Sequence, residues 1–137
     1  MPAPSSPSSP AAIEQALAAI RFDAQGLVPA IAQQHDTGEV LMMAYMDRDA
    51  VAETMRTGRA CYWSRSRKGP WRKGDTSGHI QTLVDLRVDC DGDTLLVLVD
   101  QTGVACHTGR HNCFFRAIRG GALSEIAPVM IDMQGKD

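Results

Sequence analysis

Apolar positions along the chain come in short runs separated by polar and glycine-containing turns, a pattern that predicts strands with few helices. Ala11 to Ile20 is alanine-rich and favours a helix. Phe22-Asp23-Ala24-Gln25-Gly26 reads as a turn leading into a strand over Leu27 to Gln33. Asp36-Thr37-Gly38-Glu39 is a hairpin signal, and Val40 to Met46 is the returning strand. Asp47 stands where a helix N-cap would, Val51, Ala52 and Met55 share a face at helical spacing, and Gly58 supplies the stop. His79 to Val88 alternates loosely and predicts a strand. Leu95 to Val99 and Cys113 to Ile118 predict two more, with GVACHTGRHN as the loop between them. After Gly120-Gly121 clear periodicity is lost, and Gln134 to Asp137 reads as frayed. Met42, Met43, Met46 and Met55 are read as core filler. The elements together predict an α+β, strand-rich single domain with one or two helices.

Length and composition agree with one ordinary globular domain: 137 residues, 44% apolar and 22% charged. The opening MPAPSSPSSP, residues 1–10, is proline- and serine-rich without the basic start and apolar core of a secretory signal, and reads as a disordered tail. The folded domain is expected over 11–120, with 121–137 as a C-terminal extension. A net charge of −2 gives no general attraction to nucleic acid or membrane. No run approaches the roughly 18 apolar residues that would span a bilayer. The expected compartment is therefore the cytoplasm, where cysteines serve more often as ligands or catalysts than as disulfides.

Candidate chemistry concentrates between Asp85 and Arg116. Cys90, Cys106 and Cys113 lie there with fifteen and then six residues between them, which matches no zinc-finger knuckle. Three thiolates on separate loops suit a zinc ion with an open fourth position for water, the arrangement of a catalytic zinc. Three buried thiols, or a disulfide with one thiol left over, would give the same count. Asp89, Asp91 and Asp93 bracket Cys90 in DCDGD and share one face if the backbone is extended, so they would repel unless a cation sits among them. Their hard oxygens suit magnesium or calcium rather than zinc. An EF-hand fails on detail, because Thr94 occupies the sixth position, where glycine is required, and Leu95 to Val99 reads as a buried strand. A solvated turn between two strands is the plain alternative for the aspartates.

From Arg59 to Lys73 the chain carries six basic residues, Arg59, Arg65, Arg67, Lys68, Arg72 and Lys73, and no acid. Tyr62, Trp63 and Trp71 lie among them, so flat apolar faces accompany the guanidinium groups, as would suit a ligand with phosphates and a planar ring. Gly74-Asp75-Thr76-Ser77-Gly78 follows, a flexible loop whose hydroxyls and amides could complete a phosphate cradle. The same stretch also fits a solvated loop of charges or an RNA-binding patch, though one short basic loop in a net acidic domain is a weak nucleic-acid signal. A small phosphorylated ligand fits better.

LMMAYMDRDA, ACYWSRSR, WRKGDTSG, RVDCDGDTLL and CHTGRHNCFFR together resemble the phosphoribosyl-AMP cyclohydrolase family, over about Leu27 to Arg116. The resemblance implies a monofunctional enzyme of the third step of histidine biosynthesis, with 11–120 as its cyclohydrolase domain. It implies zinc on Cys90, Cys106 and Cys113 and magnesium on Asp89, Asp91 and Asp93. It also implies an intertwined homodimer in which Cys90 comes from one subunit and the Cys106 and Cys113 pair from the other. The implied reaction is hydrolytic opening of the adenine ring of phosphoribosyl-AMP at N1–C6 by water activated on zinc. His107, beside a ligand, is the candidate to move a proton to or from the reacting atoms. Trp63, Arg65, Arg67, Trp71, Arg72, Lys73, Thr76 and Ser77 are the expected substrate contacts, the basic residues and the magnesium site for the two 5′-phosphates and a tryptophan for the purine. Cys61 stands where the family usually has an aromatic residue and is given no role. His111 is unassigned, though its nearness to Cys113 would allow a fourth zinc ligand. A zinc nucleobase deaminase is disfavoured, since no H-x-E and P-C-x-x-C pattern occurs. The alternative from another class is a structural zinc protein binding RNA through its basic loop, which would need a closed four-ligand site.

Overall fold

In the computed structural model, residues 8–132 are described. The first helix, α1 (Pro10–Ala19), starts where Ser9 accepts a hydrogen bond from the Ala12 N–H at 3.2 Å and proline takes the first turn, where its missing N–H costs nothing. Ser8 donates its N–H to Met55 O, so the last three residues of the expected tail 1–10 belong to the fold. Residues 1–7 of that tail, and the frayed end expected at Gln134 to Asp137, lie outside the described residues.

Two strands follow, β1 (Val28–Gln34) and β2 (Val40–Met46), antiparallel and joined through the expected hairpin. The second helix, α2 (Arg48–Thr57), is capped by Asp47, which accepts from the Ala50 N–H at 2.8 Å, and is stopped by Gly58 in the left-handed region at φ 75°. It buries Ala50, Val51 and Thr54. Fully burying a side chain such as Val51 contributes roughly 1.5–3 kcal/mol. The Thr54 hydroxyl accepts the Cys61 N–H at 2.9 Å, which fixes α2 to the next strand.

That strand, β3 (Cys61–Ser64), pairs antiparallel with β4 (Gly69–Arg72). The Arg59 to Lys73 stretch, expected as a basic loop, is thus a hairpin. The loop proper is 65–68, closed by Lys68 at φ 52°. Then come β5 (Gln81–Val88) and β6 (Leu95–Gln101), with the aspartate turn between them. The six strands form one sheet in the order β4-β3-β2-β1-β6-β5, antiparallel throughout except for β1 and β6, which run parallel. Alternation in β1 buries Val28, Ala30 and Ala32, and in β6 Leu95, Val97 and Val99, which form the core with Leu41, Met46 and Val51. The architecture is α+β, as expected. No helix among the described residues is long and apolar enough to cross a membrane.

A buried polar chain ties the sheet together. The Tyr62 hydroxyl donates to Gln81 Oε1 at 2.6 Å, Gln81 Nε2 donates to Gln101 Oε1 at 2.9 Å, and the Gln101 N–H donates to Gln34 Oε1 at 2.9 Å. Pairing of this kind is what permits polar groups inside a core.

Two expectations need correction. The strand expected over Cys113 to Ile118 begins only at Arg116, because the Cys113 N–H donates to Leu41 O at 2.7 Å and the Phe114 N–H donates to Asn112 Oδ1 at 2.7 Å, holding that segment elsewhere. It pairs as β7 (Arg116–Arg119) with an unexpected strand, β8 (Ala122–Glu125), through Gly120 and Gly121 at φ 56° and 77°. All four β8 residues are exposed, so no apolar alternation marks them in the sequence. Of the four methionines, Met42 and Met46 are buried and Met55 packs against the core, but Met43 is 46% exposed.

Candidate active site

The turn after β6 carries Cys106, His107 and Thr108. It is closed by the Gly109 N–H donating to Cys106 O at 3.0 Å and the Cys106 N–H donating to Arg110 O at 3.2 Å. Cys106 is buried, with its sulfur 3.0 Å from Thr108 Oγ1, while His107 is exposed. Cys113, exposed like Cys90, follows on the same loop, and desolvation first, then the charge and hydrogen bond of Cys106, push its thiol up to about 12. Two sulfurs in that relation suit a soft cation, which would relieve both causes at once.

Cys90 stands apart, exposed in the turn after β5. Among the described residues, the one group of three or more potential ligands within 4.8 Å of one another is Asp89, Asp91 and Asp93, so a single copy does not gather its three cysteines. The aspartates are exposed. Desolvation works against Asp89, but the N–H groups of Asp93, Thr94 and Gly92 outweigh it and hold the carboxyl below its usual range, the Asp93 N–H lying 3.0 Å from Oδ1. Asp93 is held above its usual range by the hydrogen bond and charge of Asp89. Three carboxylates in mutual repulsion form a donor set that fits a hard divalent cation.

The basic hairpin divides its residues between two places. Trp63, Arg65, Arg67 and Trp71 line one groove of about 530 Å³ with Tyr45 and Met43, which explains the exposure of Met43. Tyr45, Trp63 and Arg65 also border a second groove of about 610 Å³, with Lys68 and Gln25. The Arg65 guanidinium lies 4.2 Å over the Tyr45 ring. Tyr45 was not singled out from the sequence. Its signal there is its place in a strand next to β3, where it pairs with Trp63. The Trp71 indole N–H is buried without an acceptor among the described residues, and an unsatisfied donor in a groove wall is a place for a ligand acceptor.

Arg72 and Lys73 line a separate cavity of about 230 Å³ with Glu53, Arg59 and Asp75. Glu53 holds Arg72, while Lys73 is buried with its ammonium 5.6 Å from the Trp71 ring centroid. Thr76 and Ser77 lie in the following turn, where the Ser77 hydroxyl accepts the His79 N–H at 3.2 Å. Gly74 keeps that turn close, since a Cβ there would meet the His79 carbonyl carbon at 2.5 Å. His111 Nδ1 pairs with Glu39 Oε1 at 2.7 Å, and Asn112 Nδ2 donates to Glu39 Oε2 at 2.6 Å. Glu39, a further residue the sequence reading missed, thereby steadies the segment between Cys106 and Cys113.

Comparison with known proteins bears on the same residues. The sequence model of the phosphoribosyl-AMP cyclohydrolase family matches residues 42–115, which hold the basic hairpin, the aspartates and all three of these cysteines. The chain is 66% identical over 121 residues to a phosphoribosyl-AMP cyclohydrolase of Rhodospirillum centenum, covering 88% of this chain and 91% of that protein. A protein of the same description from Granulibacter bethesdensis is 67% identical over 114 residues, 82% of this chain and 89% of its own. Another from Magnetococcus marinus is 60% identical over 116 residues, 85% and 90%. Similarity of that extent, across every element of the site, establishes that the chain belongs to the phosphoribosyl-AMP cyclohydrolase family of hydrolases.

Proposed function

We propose that the protein opens the adenine ring of phosphoribosyl-AMP at its N1–C6 bond, as a step of histidine biosynthesis in the cytoplasm. The observation that carries this reading is the loop that sets buried Cys106 beside exposed His107 and, closed by the Ala105 N–H donating to His111 O, leads back to Cys113. Zinc would be held by that pair together with Cys90 from the second subunit of a homodimer. The separation of Cys90 from the pair within one copy supports a shared site. So do the exposed apolar side chains of Phe114, Ile118 and Leu123 around the β7–β8 hairpin, which a partner subunit would cover. Water held there would have its pKa lowered by zinc from 15.7 to roughly 7 and so would be available as a nucleophile near neutral pH. Asp89, Asp91 and Asp93 would hold magnesium.

The phosphoribosyl group on N1 leaves the purine ring cationic and C6 electrophilic. Water adds its oxygen to C6, the N1–C6 bond breaks with its electron pair going to N1, and the product is a carboxamide. His107 takes the proton from the attacking water or delivers one to the departing N1. Arg65 and Arg67 grip a 5′-phosphate as paired donors, and Trp63 or Trp71 covers the purine face. Arg72 and Lys73 line the separate cavity beside Glu53, and Thr76 and Ser77, in the turn that follows, are further substrate contacts on this reading. Zinc-loaded and chelator-treated protein mixed with phosphoribosyl-AMP tests the reading. Loss of the purine absorption in the zinc sample alone is the expected result, and no change in folded, zinc-loaded protein would overturn it.

A further inference from the structure

The chain beyond the family-matched range returns to the turn that carries Cys106 and His107. Met130 and Ile131 donate their N–H groups to Gly109 O at 2.8 and 3.1 Å. Gly109 sits at φ 84°, and a Cβ there would run into the Ile131 carbonyl oxygen. The next residue, Arg110, reaches the same segment from the other side. Its Nε donates to Ala127 O at 3.0 Å, and its Nη2 donates to Glu125 Oε2 at 2.6 Å. Its guanidinium lies 3.9 Å over the Phe115 ring, and its side chain is only 12% exposed although Glu125 is 64% exposed. The Ile126 N–H donates to Phe115 O at 2.7 Å. One half-buried cation therefore joins the turn, the segment leading to β7 and the strap Glu125–Ile131.

We propose that Arg110 is a positioning residue for the Cys106–His107 turn, acting by pinning the C-terminal strap against Gly109, a role that rests on the zinc-ligand reading of Cys106 above. The turn's own hydrogen bonds fix its backbone shape. They do not fix its placement over the sheet, and Val129, Met130 and Ile131, all exposed, have no core of their own to hold the strap there. Glu39 and Leu41 hold the loop on the sheet side, and the Arg110 contacts supply the anchorage on the strap side. The strap then belongs to the site, not to a dispensable extension.

Arg110→Met tests this, since it keeps an aliphatic stem on Phe115 while removing the bonds to Ala127 and Glu125. Met130→Pro removes one strap hydrogen bond to Gly109 O from an exposed position without changing any residue of the turn. Zinc affinity measured by chelator competition on the full chain should fall about 10–100-fold in Arg110→Met, as for other groups that orient metal ligands. The thiolate-to-cobalt absorption of the cobalt-substituted protein should change with it. KM should stay near wild type, because the Trp63 to Arg67 groove stands on other elements, while kcat falls, and Arg110→Lys should recover part of the zinc affinity. Whichever of Arg110→Met and Met130→Pro folds decides the matter: wild-type zinc affinity together with an unchanged cobalt spectrum overturns the proposal. A wild-type protein that takes up no zinc would instead overturn the proposed metal site itself.

Discussion

Arg72 and Glu53 meet in a two-point ion pair, Nε to Oε2 at 2.7 Å and Nη2 to Oε1 at 2.9 Å, which joins β4 to α2. A guanidinium fixed in this way is committed to the fold before any phosphate arrives. Arg72→Ala should therefore lower the urea midpoint only slightly, since solvent screens the Arg72 end of the pair, and leave KM within a factor of about two. The Arg72 hydrogen bond holds the Glu53 carboxyl below its usual value of 4.5. The folded value is thus the lower one, so the pair's contribution is present above 4.5 and is lost as pH falls through the folded value. The stability gap between wild type and Glu53→Gln should close in that acid window.

Cys61 behaves in the opposite sense. Burial, followed by the nearby Glu53 charge, pushes its thiol up to about 12 from 9.0. A raised value means that the thiol's contribution is intact below 9.0 and is lost as pH climbs toward 12. Unfolding midpoints should fall over that range with a slope of at most about 1.4 kcal/mol per pH unit from this group. Cys61→Ala should flatten the slope.

His107→Ala should retain zinc and lose turnover by about 10²–10⁴-fold, measured as kcat on metal-quantified protein. An unchanged kcat would leave His107 with an orienting role.

Arg65→Ala removes the cation stacked on Tyr45 and, on the proposed function, a phosphate donor, and should raise KM about 10-fold or more with a smaller effect on kcat. Tyr45→Phe keeps the ring and should be neutral, whereas Tyr45→Ala should reproduce part of the Arg65 loss.

A site shared between subunits makes a prediction that no single-chain site can. Cys90→Ser and Cys113→Ser should each abolish activity alone. Mixed subunits should then recover up to about a quarter of wild-type turnover, since half of the dimers are mixed and each of those rebuilds one of two sites. No recovery after subunit exchange, with mixed dimers detected, would exclude sharing.

The elements that announce themselves in the sequence are those whose local chemistry and burial agree. Asp47 and Gly58 bound α2 because capping and a left-handed stop are local needs, and Val40–Met46 is found residue for residue because a hairpin turn precedes it. β8 escaped because a strand that buries nothing leaves no pattern. The two ends of the basic hairpin, alike in the sequence, part in the structure. Arg65 is left over an aromatic ring facing a groove, while Arg72 turns to a carboxylate nineteen residues away on a helix, a partnership that charge counting along the chain does not register. The aspartates could be grouped from their spacing, although they gather in a turn and not along the extended backbone expected there. The Cys106–Cys113 approach depends on how GVACHTGRHN closes, through contacts from Leu41 and Glu39 far back in the chain.

The parallel seam between β1 and β6 also sets the order in which the sheet can be completed. Strands β1 to β4 follow one another through a hairpin, α2 and a second hairpin, but the outer edge of β1 has no partner until residues 95–99 arrive from more than sixty positions downstream. A nascent or truncated chain ending before β6 would expose that edge, with Ile31 upon it, as a template for pairing with other chains. Late arrival of β6 closes the edge and delivers the Cys106 turn in the same movement. Chains that have not yet acquired the Cys106 turn are therefore the ones at risk of aggregating, and the assembly of the site doubles as the sealing of the sheet.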